Sequence, residues 1–149
     1  MKRLMSAIAC VALSALTSPV APAAAEKQPV VVVRGPTVVA FFEPVSQVKL
    51  EKDPDGNEAL ADFQLYATRV REPLRKAGID FHELYAHSFR LRAGNRLTAF
   101  RPVKVDVGYY LVTPGKKPLI KYGVMTDVDL FHVANEYFGF TRDFRIKAY

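Results

Sequence analysis

The sequence predicts an α/β fold, a mixed β-sheet flanked by helices, with a β-hairpin near the carboxyl end followed by a last helix. Three observations carry this. Short apolar runs rich in Val, Thr and Phe stand near the start of the folded region, an amphipathic stretch of helical period follows them, and two apolar runs joined by Pro114-Gly115-Lys116-Lys117 precede a second helical stretch.

Taken in order, Lys2 and Arg3 open the chain, Leu4 to Leu16 form a short apolar run, and Ala23-Ala24-Ala25 precede Glu26. That is the pattern of a cleavable signal peptide over residues 1–25, leaving one domain over 26–149. Ser6, Ser14, Thr17, Ser18, Pro19 and Pro22 interrupt the run, which falls short of the roughly 20 apolar residues of a membrane span. The single cysteine, Cys10, sits inside this segment; Ala7-Ile8-Ala9 before it only faintly suggests lipidation. A mature chain without cysteine cannot run thiol or disulfide chemistry and must hold together by packing. The expected location is periplasmic or secreted, with no stable membrane insertion after cleavage. The formal charge of +6 falls by two when Lys2 and Arg3 are removed. This mild excess contains no long block of like charges, so nucleic acid is not an expected partner.

Val30 to Val33 and Thr37 to Phe42, separated by Arg34-Gly35-Pro36, read as buried strands. Lys49 to Asn57 reads as a loop, with Asp53-Pro54-Asp55-Gly56 as a turn. From Glu58 onward Leu60, Phe63, Ala67, Val70 and Leu74 fall at helical spacing. Pro73 should kink that helix or end its regular part, and Gly78 should cap it. Ile79 to Leu91 reads as one strand, Ala93-Gly94-Asn95 as a turn, and Arg96 to Val105 as either a strand or irregular structure. Gly108 to Thr113 and Pro118 to Val124 make the hairpin. Thr126 caps a last helix with Asp127 and Asp129 in its first turn, Leu130, Val133, Ala134, Tyr137 and Phe138 as its buried stripe, and Gly139 at its end.

Pro36-Thr37-Val38-Val39-Ala40-Phe41-Phe42-Glu43-Pro44 resembles the strand leading into a thioredoxin active site. The stretch from Val107 to Val124 is similar to that family's terminal hairpin, the helix after it stands where the family places one, and Pro73 resembles a proline common in its first helix. The resemblance implies a thioredoxin-like fold. It also locates departures: the family's Cys-x-x-Cys falls on Ser46-Gln47-Val48-Lys49 when counted from the strand and near Leu65-Tyr66-Ala67-Thr68 when counted back from Pro73, and neither stretch holds a cysteine. The cis-proline expected near Asp106 or Val107 is absent from the sequence. Thiol exchange therefore has no parts to work with.

Other chemistries find little purchase. Ser46 follows a strand but lacks a glycine-rich elbow. His82 and His87 are five apart, and an odd separation on one strand sends them to opposite faces, so no shared metal is expected. Asp53, Asp55 and Asn57 alternate like calcium ligands, but Gly56 is misplaced for a calcium loop, and a turn and helix cap is the expected reading. No cofactor or metal is called for. The feature that stands out is Arg90, Arg92, Arg96 and Arg101, with Lys104 nearby: in an extended segment Arg90 and Arg92 share a face, and a turn at Gly94-Asn95 is expected to return Arg96 beside them. Such a face grips carboxylates or phosphates; a solvated strand face is the alternative. The expected function is a redox-inactive, protein-binding module for an envelope protein, or, alternatively, an enzyme or small-ligand carrier with a site of another kind.

Overall fold

The computed structural model describes residues 28–45 and 53–140. It is an α/β structure of two sheets and two helices, so the single mixed sheet expected from the sequence is corrected to a pair. The elements are β1 (Val30–Val32), β2 (Thr37–Phe42), α1 (Pro54–Lys76), β3 (Asp80–Tyr85), β4 (Phe89–Ala93), β5 (Arg96–Phe100), β6 (Gly108–Val112), β7 (Leu119–Tyr122) and α2 (Asp127–Phe138). One sheet has the order β3-β2-β6-β7; the other has the order β1-β4-β5. In the larger sheet β2 runs parallel to β3 and antiparallel to β6, and β6 is antiparallel to β7. In the smaller, β1 is parallel and β5 antiparallel to β4.

The second sheet arises because the expected strand Ile79 to Leu91 is two strands in different layers. Tyr85 pairs with Phe42, the last residue of β2, and the Ala86 N–H donates to the Phe42 carbonyl. Beyond that point β3 has no neighbour left to pair with. The chain turns through Ala86-His87-Ser88 and finds a new partner in β1, with Arg90 opposite Val30 and Arg92 opposite Val32. The segment from Arg96, ambiguous in the sequence, is a strand as far as Phe100 because it closes a hairpin on β4.

Two cores result. On one face of the large sheet Val38, Ala40, Phe42, Tyr109 and Leu111 meet Leu60, Phe63, Val70 and Leu74 of α1 and Leu130, Phe131, Ala134 and Tyr137 of α2. On the other face Val39, Phe41 and Tyr110 meet Val31, Val33, Phe89 and Leu91 of the small sheet. Aromatic rings join these two layers: Phe41 lies 5.6 Å from Phe100 and 6.0 Å from Phe89, and Phe100 lies 4.6 Å from Tyr110. Each such pair contributes on the order of 1 kcal/mol beyond the area it buries.

The helix ends follow local rules. Helix α1 begins at Pro54, earlier than the hydrophobic period indicates. Asp53, which the sequence reads as part of a turn and helix cap and not as a calcium ligand, is its N-cap, accepting a 3.0 Å bond from the Gly56 N–H, and Pro54 occupies a first-turn position where no donor is needed. The expected loop of residues 49–57 therefore ends at Asp53 among the described residues. Pro73 does not end the helix, which runs on to Lys76 and closes with paired bonds, Gly78 N–H to the Arg75 carbonyl and Ile79 N–H to the Leu74 carbonyl. Gly78 has φ of 75°, as a left-handed cap requires, and Leu74 and Ile79 are both buried at the exit. Thr126 caps α2 through the Asp129 N–H at 3.2 Å, and Gly139 ends it with φ of 73°. The loop of the β6–β7 hairpin is tied to α2 by Tyr137 Oη donating to the Lys117 carbonyl at 3.0 Å and by Lys116 Nζ over the Tyr137 ring.

Gly108 opens β6 opposite Tyr122, and a Cβ there would stand 2.2 Å from the Lys121 carbonyl oxygen, a backbone atom that no rotamer change moves. Gly108→Ala is expected to destabilise the protein by about 1–3 kcal/mol. Gly35→Ala, whose Cβ would meet nothing within 4 Å, is the control; urea midpoints of the two variants give the comparison. Burial raises the Tyr109 pKa to about 12, against 10.0 ordinarily. The folded chain therefore holds the Tyr109 proton after the unfolded chain has released it, and stability present below pH 10 falls progressively between pH 10 and 12. Denaturation across that window is expected to show a shallower loss for Tyr109→Phe than for the wild type.

Candidate functional site

The small sheet buries one face and exposes the other. Register fixes which residues share each face, because paired residues point the same way and neighbours along a strand alternate. Val31 and Leu91 face inward, at 2% and 6% exposure. Outward stand two rows: Val30, Arg90 and Ala99, then Val32, Arg92 and Leu97. Val30, Val32 and Leu97 are 44%, 40% and 38% exposed, and both arginines are exposed. The outer face is thus apolar ground carrying two guanidinium groups on adjacent rows.

The structure brings Arg90 and Arg92 together, as the alternation predicts, but not Arg96. Gly94 and Asn95 make a two-residue loop, so Arg96 pairs with Ala93, which shares the parity of Phe89 and Leu91. Arg96 therefore projects from the side opposite Arg90 and Arg92. Arg101 is exposed just past the far end of β5. Ser46, Gln47, Val48 and Lys49 lie outside the described residues, as does the expected signal peptide. Sequence reading missed Val30, Val32 and Leu97. The sequence reading has the run Val30 to Val33 buried, yet only Val31 and Val33 are; four valines in a row carry no period, and it is the pairing with β4 that divides them.

This face carries no carboxylate of its own. Elsewhere some basic side chains meet carboxylates: Arg71 donates to Glu83 at 2.6 Å, Arg75 to Glu72 at 2.8 Å, and the His87 ring lies 2.6 Å from Asp106. The hydrogen bond from Arg75 holds the Glu72 carboxyl below its ordinary range. No Asp or Glu occurs in β1, β4 or β5, and among the described residues no ion pair reaches Arg34, Arg90 or Arg92.

A second group of polar side chains gathers at the carboxyl ends of the parallel strands β2 and β3, where α/β sheets commonly bind ligands. His87, in the turn after β3, holds Asp106 of the segment leading into β6, and Lys104 of that segment lies 5.8 Å from the centre of the Tyr122 ring. The Val103 N–H donates to Tyr122 Oη at 3.2 Å. Next to them on β3, Tyr85 donates to Glu83 and accepts from Gln64 at 3.3 Å; burial, then the bond to Glu83, pushes the Tyr85 pKa up. His82 does not join His87. It pairs with Val39 and lines, with Val32, Arg34, Asp80 and Phe81, a cleft of about 280 Å³. A second cleft, about 320 Å³, lies between the helices and is lined by Arg69, Pro73, Asp127 and Phe131. Among the described residues no cluster of three or more His, Cys, Asp or Glu could hold a metal ion, and no helix is long and apolar enough to cross a membrane.

Searches against protein-family models, curated proteins and solved structures found no match to this chain.

Because Arg90 and Arg92 hold no ion pair among the described residues, the double substitution Arg90→Glu and Arg92→Glu is expected to shift unfolding free energy by no more than about 0.5 kcal/mol. A larger loss in chemical denaturation would assign these arginines a structural task.

Proposed function

We propose that this chain is an exported, redox-inactive, thioredoxin-like protein that binds another envelope protein through the outer face of its small sheet. The observation that carries the reading is the pair Arg90 and Arg92, without an ion pair among the described residues and set among exposed Val30, Val32 and Leu97. Protein interfaces favour this composition: apolar ground, arginine anchors, and few competing charges at the centre. A surface whose only task is solubility intersperses both signs of charge.

The thioredoxin-like part of the reading draws support from the unit β2, α1, β3, β6, β7 and α2. It keeps the leading strand, the helix bearing Pro73, the terminal hairpin and the closing helix on which the resemblance rests. The small sheet lies outside that unit and covers the second face of β2. Export is supported by the leader-like pattern of residues 1–25, and the absence of thiol chemistry by the lack of cysteine after Cys10.

Affinity capture from an envelope extract tests the function, using the purified protein beside the variant carrying Arg90→Glu and Arg92→Glu. A protein retained by the wild type and lost by the variant is the expected result. Retention by both rejects the arginine face. Capture of nothing, at low salt and with cross-linking, overturns the binding-module reading.

A further inference from the structure

The outer face adjoins a strand edge with no neighbour among the described residues. In the small sheet β1 pairs with β4 alone. The Arg90 N–H donates to the Pro29 carbonyl and the Val33 N–H to the Arg92 carbonyl, both at 2.8 Å. In a parallel ladder alternate residues make these bonds, so the odd-numbered residues of β1 serve β4. The N–H and C=O groups of Val30 and Val32 then point away from the sheet, along the open side. That side is bordered by the cleft of about 280 Å³ between the end of β1 and the start of β3, where Arg34 and His82 stand with Asp80.

We propose that the segment bound here is an extended, acidic polypeptide that adds a strand to the free edge of β1 and lays carboxylates over Arg90 and Arg92. The proposal rests on the protein-binding reading and specifies its partner. Strand addition satisfies the backbone groups of Val30 and Val32, which otherwise form an open template on an edge. An added strand lies about 4.8 Å from β1, so its outward side chains stand about two strand spacings, roughly 10 Å, from the Arg90 and Arg92 backbones. Glutamate and arginine side chains together span that distance across Val30 and Val32. The charge requirement is one-sided: among the described residues Arg34, Arg90 and Arg92 have no carboxylate partner, and the small sheet supplies none. Alternate residues of the added strand face the direction of Val31 and Val33 and are therefore apolar. The recognised pattern is acidic and apolar residues in strict alternation, with a neutral or donor group next to Asp80.

Fluorescence anisotropy with a labelled peptide alternating valine and glutamate over about eight residues tests this. The peptide is expected to bind, and a valine–glutamine peptide to bind at least about tenfold more weakly, since charge-assisted bonds would be replaced by neutral ones. Arg90→Glu with Arg92→Glu is expected to abolish binding. Val32→Pro removes an N–H that serves only the free edge and is expected to weaken binding by a similar factor, with circular dichroism confirming the fold. A peptide N-methylated on its β1-facing amides makes the same test on unaltered protein. Undiminished binding by Val32→Pro and by the methylated peptide, with loss in the arginine variant, overturns strand addition but leaves the protein-binding face standing. Equal binding of the glutamine peptide overturns the acidic specificity. No binding of either peptide overturns the proposal, while envelope capture still decides the broader function independently.

Discussion

Burial of both faces of β2 governs the rest of the molecule. All six residues from Thr37 to Phe42 are buried, and Val38 to Phe41 have no exposed surface. An antiparallel sheet can leave one face to water, but a central strand made of Val, Ala and Phe without a polar row cannot. Two coverings are needed. The helices α1 and α2 provide one, and the small sheet provides the other. The single polar side chain in the strand, Thr37, donates to the Gly35 carbonyl at 2.9 Å, so the strand enters the core without an unpaired hydroxyl.

This constraint explains which parts of the fold were legible in the sequence. Both helices were, because the period of Leu60, Phe63, Ala67, Val70 and Leu74, and that of Leu130, Ala134 and Tyr137, reports a single buried stripe. The hairpin was legible through its Pro-Gly loop. The cap at Asp53 was legible too, but the helix starts at Pro54 and not at Glu58, because the polar first turn from Pro54 to Asn57 carries no apolar period to mark it. The division of residues 79–91 between two sheets was not legible at all. Nothing local in Ala86-His87-Ser88 marks a change of layer. The break occurs because β2 ends at Phe42 and leaves β3 without a ladder, which is a nonlocal fact.

The candidate site was half legible for the same reason. Alternation places Arg90 and Arg92 on one face whatever their neighbours are, so that pair followed from sequence. The position of Arg96 depended on loop length: with two residues between the strands, Ala93 and Arg96 face each other and share the inward parity of Leu91. The valines of β1 could not be divided from sequence, since a run of four valines carries no period. Their division into buried Val31 and Val33 and exposed Val30 and Val32 is made by β4, a strand about sixty residues away in the chain.

The small sheet therefore joins two tasks that are physically separable. Its inner face, through Phe89, Leu91 and Phe100, completes the core that β2 requires, and substitutions there act on stability. Its outer face contributes little to that core. A protein that closes its second core with a three-stranded sheet instead of a helix also acquires strand edges, two of them unpaired among the described residues, and an outer sheet face, features a helix would not present. The edge at β5 adjoins Arg96 and Arg101, whose like charges discourage pairing with another strand. The edge at β1 carries only valines, with Arg34 just beyond its end, and so lacks that protection. The unprotected edge and the two arginines without an ion pair among the described residues belong to the same two rows of the same sheet, so backbone groups and charge are offered together there, and it is this coincidence that places the proposed recognition surface on the small sheet.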